Sequence, residues 1–124
     1  MLGASSEMAT AAGQHRQEFD PRSGSLRVGD LEIRPGEFTA LAGGRRLALT
    51  VRELDLLTAL AERSGRVVAR DELYRVVWGG PYRKDDRSVD VYVAKLRHKL
   101  ERALPGRQLI HTHFGFGYRL SCDV

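Results

Sequence analysis

Residues 85–102 read DDRSVDVYVAKLRHKLER. Val89, Val93, Leu96 and Leu100 recur there at i, i+4, i+7 and i+11. At about 100° per residue the four fall within roughly 60° of one another, which predicts one amphipathic helix with a narrow apolar stripe. The opposite side carries Arg87, Val91, Ala94, Lys95, His98 and Arg102. That face is basic, holds no acid, and includes two small apolar side chains. A solvated face ordinarily mixes Glu with Lys to gain i,i+4 pairs. A helix in a DNA major groove needs cations for phosphates and guanine edges. It also needs small side chains where backbones approach, and a methyl-bearing one against thymine. This face alone fits either DNA reading or a solvated helix that happens to be basic; the flanking segments favour the former.

The chain has 124 residues, 42% of them hydrophobic, enough for one modest core and one domain. Its formal net charge is +4. Acids and bases cancel over residues 1–49, so the whole excess lies in residues 50–124. Basic charge gathered at one end of a small domain is an electrostatic footprint for a polyanion. Cys122 is the single cysteine and has no internal disulfide partner, which fits a reducing cytosol. No apolar run approaches a membrane span, and the N-terminus lacks the pattern of a signal peptide.

Residues 1–24 are rich in Ala, Gly, Ser and Gln, and are expected to form a disordered tail or interdomain linker; a short helix over residues 6–17 would have nothing to pack against. Residues 25–122 are expected to be the folded domain. Residues 26–49 alternate short apolar runs with turns, which predicts a four-stranded antiparallel meander with Gly43-Gly44 closing one hairpin. Thr50 and Glu53 form a capping box that opens a helix over about 51–63, ended at Ser64-Gly65. A second helix is expected at about 70–77, with Ala69 a poor cap. Gly79-Gly80-Pro81 then breaks the chain before a basic loop, Tyr82-Arg83-Lys84. After the long helix, residues 109–112 and 117–120 are expected to pair as a hairpin around His113-Phe114-Gly115-Phe116.

Sheet, three helices and a closing hairpin follow the order of a winged helix. Particular words add to this: Leu49-Thr50, Glu53 and Leu56-Leu57 in the first helix, Val76 with Trp78-Gly79 in the second, and Asp86-Arg87-Ser88-Val89-Asp90-Val91 opening the third. Lys95-Leu96-Arg97, Lys99-Leu100, Gly115 and Gly117-Tyr118-Arg119 complete the set. Together these resemble the DNA-binding domain of OmpR/PhoB-type response regulators over about residues 26–121. Five ordered motifs at compatible spacings are far more specific than any one of them.

The resemblance implies an α+β winged helix-turn-helix. Its third helix enters the major groove of duplex DNA and its wing, residues 111–119, approaches the minor groove. Arg87 and Lys95 are then the expected base-edge or groove-phosphate contacts, and Val91 matches a position that touches thymine methyl groups. Ser88, Ala94 and Arg102 fall on the same interface, and Tyr92 and His98 flank it within reach of backbone oxygens. Trp78 fits either an indole N–H donated to phosphate or packing under the sheet. Thr112, His113 and Phe114 are the expected wing contacts. Pro81, Tyr82, Arg83 and Lys84 match a loop that contacts RNA polymerase in many relatives; its cations fit DNA phosphate or water equally. Arg97 fits an ion pair with an acidic neighbour or a phosphate. Many relatives carry Arg where Ala94 and Phe114 stand here, so specificity is expected to rest on the helix more than on the wing. Arg87→Ala is then expected to abolish site preference, and Phe114→Ala to lower affinity.

An enzyme is the first competing reading. His111, His113 and Cys122 form an incomplete metal set, no nucleophile–base pair or phosphate-cradling loop is evident, and no cofactor is expected. A winged helix used for protein contacts alone is the second, but such a module would tend to lose cations from its third helix. Relatives usually place a receiver domain before this one, and 24 residues are too few to hold it. The chain is therefore expected to be an excised effector domain or a stand-alone factor in the bacterial cytoplasm, associated with the nucleoid. It is expected to pair head-to-tail on direct repeats and to be monomeric off DNA.

Overall fold

The computed structural model describes residues 24–122 and the backbone of one further strand, Glu18–Asp20. Among these residues the order is β1 (Glu18–Asp20), β2 (Ser25–Val28), β3 (Leu31–Arg34), a 3-10 turn (Pro35–Glu37), β4 (Thr39–Ala42) and β5 (Arg45–Arg46). Helices α1 (Val51–Glu62), α2 (Arg70–Trp78) and α3 (Ser88–Ala103) follow, then β6 (Ile110–His113) and β7 (Gly117–Leu120).

The first five strands form one antiparallel meander in sequence order. Four of them are the expected strands. The fifth, β1, pairs with β2 in the register Glu18↔Arg27 and Asp20↔Ser25, within the stretch expected to be a tail. The rest of that stretch, including the short helix weighed over residues 6–17, lies outside the described residues. Strand β5 is also shorter than the expected run to Leu49, although the Leu47 amide still donates to the Ala40 carbonyl at 2.9 Å. Gly43 and Gly44 both take positive φ, 58° and 84°, in the two-residue turn between β4 and β5. A two-residue turn with positive φ at both positions matches the right-handed twist of its strands.

Alternation along the meander turns Leu26, Val28, Leu31, Ile33, Ala40 and Ala42 to one face, all buried. Helix α1 covers that face with Leu54, Leu56, Leu57 and Leu60. Its capping box forms as expected: Thr50 Oγ1 accepts from the Glu53 amide at 3.2 Å, and Glu53 Oε1 accepts from the Thr50 amide at 2.9 Å. The same Glu53 oxygen also accepts from Lys99 Nζ at 2.6 Å, a bond that joins the start of α1 to α3. Glu53 is buried, which works to raise its pKa. The bonds from Lys99 and from Thr50 outweigh that and hold it below the ordinary value.

All four stripe residues of α3 are in the core: Val89, Val93, Leu96 and Leu100 are at most 3% exposed. The helix starts three residues later than expected, at Ser88 instead of 85. Asp86 explains the shift. Its Oδ1 accepts from the Ser88 amide at 2.8 Å, and its own amide donates to the Arg83 carbonyl at 2.9 Å. A short acidic side chain bonded to the backbone two residues on makes a turn that competes with helix. Arg87 thus occupies the cap position, outside the helical turn.

Candidate nucleic-acid interface

Because the stripe is buried, the other side of α3 is forced outward. Val91, Ala94, Lys95, His98 and Arg102 are all exposed, and so is Arg87 at the cap. Val91, at 46% exposed, is a β-branched apolar side chain left in water amid cations. The Lys95 Nζ stands over the Tyr92 ring, 4.7 Å from the centroid. Tyr92 is itself half-buried, with its ring edge-on to Trp78 at 5.5 Å and 67°. Trp78 stacks on Tyr74 at 5.3 Å and 13°, with the Arg52 guanidinium 5.4 Å from its centroid. The indole therefore packs among helix side chains on the α2–α3 side, not under the sheet. Ser88 is half-buried at the first turn, where its amide meets Asp86.

In the loop before α3, Pro81, Arg83 and Lys84 are exposed. Tyr82 is half-buried, its ring 5.6 Å from Tyr74, so the loop is anchored on the same aromatic group.

The hairpin β6–β7 is fastened to α3 at two places. Arg97 Nε and Nη2 donate to the Ile110 carbonyl at 3.1 and 2.9 Å, and Nη2 also donates to Thr112 Oγ1. Arg97 thus directs these donors to the wing backbone and to a wing hydroxyl. It makes no ion pair among the described residues, and its guanidinium is turned to the wing. Thr112 is half-buried beneath it. The second fastening is Asp90, whose Oδ1 accepts from the Tyr118 hydroxyl and from Arg70 Nε, the latter at 2.7 Å. Burial works to raise the pKa of Asp90, but the Tyr118 and Arg70 bonds win and hold it low. The Tyr118 ring lies between Arg70 and Arg97, 5.0 and 5.6 Å from the two guanidinium carbons. Behind the wing, Val68 and Tyr118 exchange backbone bonds of 2.7 and 3.0 Å, which joins the segment between α1 and α2 to β7.

Among the expected wing contacts, His113 is half-buried and its Nε2 accepts from Arg119 Nε at 3.2 Å. Phe114 points fully outward. The structure thus brings Arg87, Val91, Ala94, Lys95, His98 and Arg102 onto one surface with the wing beside it. Thr112 and Tyr92 serve as props under that surface.

The sequence reading named Asp90 only within a motif and gave neither it nor Arg70 a part in holding the wing. A signal for Asp90 was present. It is seven residues before Arg97, so both sit on one flank of the stripe. An acid beside the apolar stripe, on a helix otherwise rich in cations, suggested an internal partner. A second cluster, also passed over, places Glu72 between Arg66 Nη2 and Arg63 Nε, each 2.9 Å away. The bonds from Arg66 and then Arg63 lower the Glu72 pKa to about 2.

Residues 44–120 match the family model described as transcriptional regulatory protein, C terminal. The chain is 36% identical over 110 residues to the alkaline phosphatase synthesis transcriptional regulatory protein PhoP of Bacillus subtilis, covering 89% of this chain and 46% of PhoP. It therefore spans just under half the length of this relative. The DNA-binding domain of CpxR from E. coli superposes with a TM-score of 0.72 at 34% identity, covering 80% of this chain and 98% of that one. The RstA DNA-binding domain of Klebsiella pneumoniae, in complex with the RstA box, gives 0.72 at 32% identity with the same coverage. The chain belongs to the OmpR/PhoB-type transcriptional regulatory family, as a winged helix matching its C-terminal domain. That family is not an enzyme class.

Proposed function

With that membership as the premise, we propose that the chain is a sequence-specific duplex-DNA-binding unit, the effector domain of a two-component response regulator. Helix α3 lies in the major groove and the β6–β7 wing reaches the adjacent minor groove. What carries this reading is one arrangement: six side chains from Arg87 to Arg102 meet solvent together, directly opposite a stripe that is at most 3% exposed. Arg87 and Lys95 supply charge and reach to guanine edges or phosphates, Val91 supplies a methyl surface for thymine, and Ala94 leaves room for close approach. His98 and Arg102 track the backbone toward the end of the helix.

Two copies bind head-to-tail on direct repeats, each covering about one helical turn. The exposed cations Arg83 and Lys84, on the loop anchored by Tyr82, offer RNA polymerase a contact beside the bound DNA. No described helix is long and apolar enough to cross a membrane, and the working place proposed is the bacterial cytoplasm, at the nucleoid.

Footprinting of purified protein across the source genome at physiological salt tests the reading. Protected sites made of direct repeats upstream of genes support it. Uniform weak protection without preferred sites contradicts it.

A further inference from the structure

The wing ends in HFGFG, residues 113–117, without a lysine or arginine. Phe114 and Phe116 stand at its tip, 86% and 74% exposed. Both rings are large enough to serve the core, and neither does. The stalk beneath them is held on both strands: β6 by Arg97 at Ile110 and Thr112, β7 by Asp90 and the Val68 backbone at Tyr118. The turn itself is closed by the Phe116 amide on the His113 carbonyl at 2.8 Å. Gly115 takes φ 83° between the two rings and adds no side chain of its own. Two apolar rings thus project from a braced hairpin.

We propose that Phe114 and Phe116 form an apolar wedge that enters the minor groove and partly unstacks a base step, kinking the duplex toward the major groove. This rests on the DNA-binding reading above. The turn itself carries no lysine or arginine, and the nearest cation along the chain, Arg119, is bonded to His113 at its base. What the tip offers the groove is two rings held in water on a braced stalk, prepared for a surface that opens to receive them. The steps that open most easily are pyrimidine–purine steps such as TA and CA. The wing therefore contributes specificity through deformability, while α3 reads base edges.

The test uses an alternating d(AT) duplex in which a fluorescent adenine analogue, whose emission rises on unstacking, replaces some adenines. Binding is followed separately by anisotropy on an end label at low ionic strength. The wild-type chain is expected to raise analogue emission as it binds. Phe114→Ala/Phe116→Ala is expected to bind about tenfold more weakly and, at saturation, to leave emission unchanged. Phe114→Leu/Phe116→Leu keeps apolar volume and retains the rise. Phe114→Arg supplies a groove cation, restores affinity on the alanine background at Phe116, and leaves emission flat. Wild-type binding without any rise overturns the wedge alone, as does an equal rise with the double alanine variant. Absence of binding in the anisotropy channel overturns the DNA-binding reading and the wedge with it.

Discussion

Arg97, on helix α3, places two guanidinium nitrogens on the carbonyl oxygen of Ile110, on the wing, at 3.1 and 2.9 Å. The wing is thereby positioned by the same helix whose far side meets solvent. Both surfaces are thus fixed to one helix.

Arg97→Ala removes these donors and leaves a carbonyl on a residue only 1% exposed without them. The expected loss is about 1–3 kcal/mol of stability, the cost of an unsatisfied buried acceptor. Amide exchange across β7 should accelerate more than exchange in α1, and DNA affinity should fall although Arg97 does not face the groove. Unchanged exchange in β7 would show that the wing is held without it.

Three carboxylates, Glu53, Glu72 and Asp90, are held below their ordinary pKa values by bonds to cations and hydroxyls. Depressed carboxylates stabilise the folded state above the unfolded pKa and lose that contribution as pH falls through the folded pKa. Urea midpoints should therefore drop progressively from pH 4.5, the ordinary Glu value, toward about 2, where Glu72 titrates. Glu53→Gln should cost about 1–3 kcal/mol at neutral pH, because Lys99 loses a charged acceptor. It should also flatten part of the acid decline. Midpoints that stay constant over this range would contradict the assignment.

Gly117 and Gly115 should respond differently to alanine. A Cβ on Gly117 would stand 2.0 Å from the Val68 carbonyl oxygen, at a φ of 149°. That oxygen is bonded to Tyr118 and cannot withdraw, so Gly117→Ala should cost about 3 kcal/mol or more. At Gly115 nothing lies within 4 Å, and only its φ of 83° resists a side chain. Gly115→Ala should cost about 1–2 kcal/mol, the left-handed penalty alone. Comparable melting temperatures for the two variants would refute the close approach of Val68 to the wing.

What could be read from the sequence was local and periodic. The α3 stripe follows from the spacing of four apolar residues, the capping box from Thr50 and Glu53 three apart, and the turn from Gly43-Gly44. What could not be read depended on partners distant along the chain. Lys99 reaches Glu53 across 46 residues, and Arg97 reaches Ile110 across 13. A cation's sequence neighbours do not reveal which of several oxygens the fold will bring to it. The start of α3 was misjudged because the hydrophobic period does not register the competing Asp86 turn. Strand β1 was missed because its pairing with β2 is made by backbone atoms, which leave no periodic signal in three residues. Exposure of the cationic face was legible, because burying one side of a helix exposes the other.

The central claim is that the surface formed by Arg87, Val91 and Lys95 binds duplex DNA. The most direct measurement is anisotropy of a labelled duplex titrated at a series of salt concentrations, for the wild-type chain and for Arg87→Ala/Lys95→Ala. The expected result is tight binding at low salt that weakens steeply as salt rises. The double variant should bind more weakly, with a log–log slope shallower by about 0.9 for each phosphate that it no longer neutralises. A wild-type chain that ignores duplex DNA at low ionic strength would contradict the claim, and so would a double variant that keeps both affinity and slope.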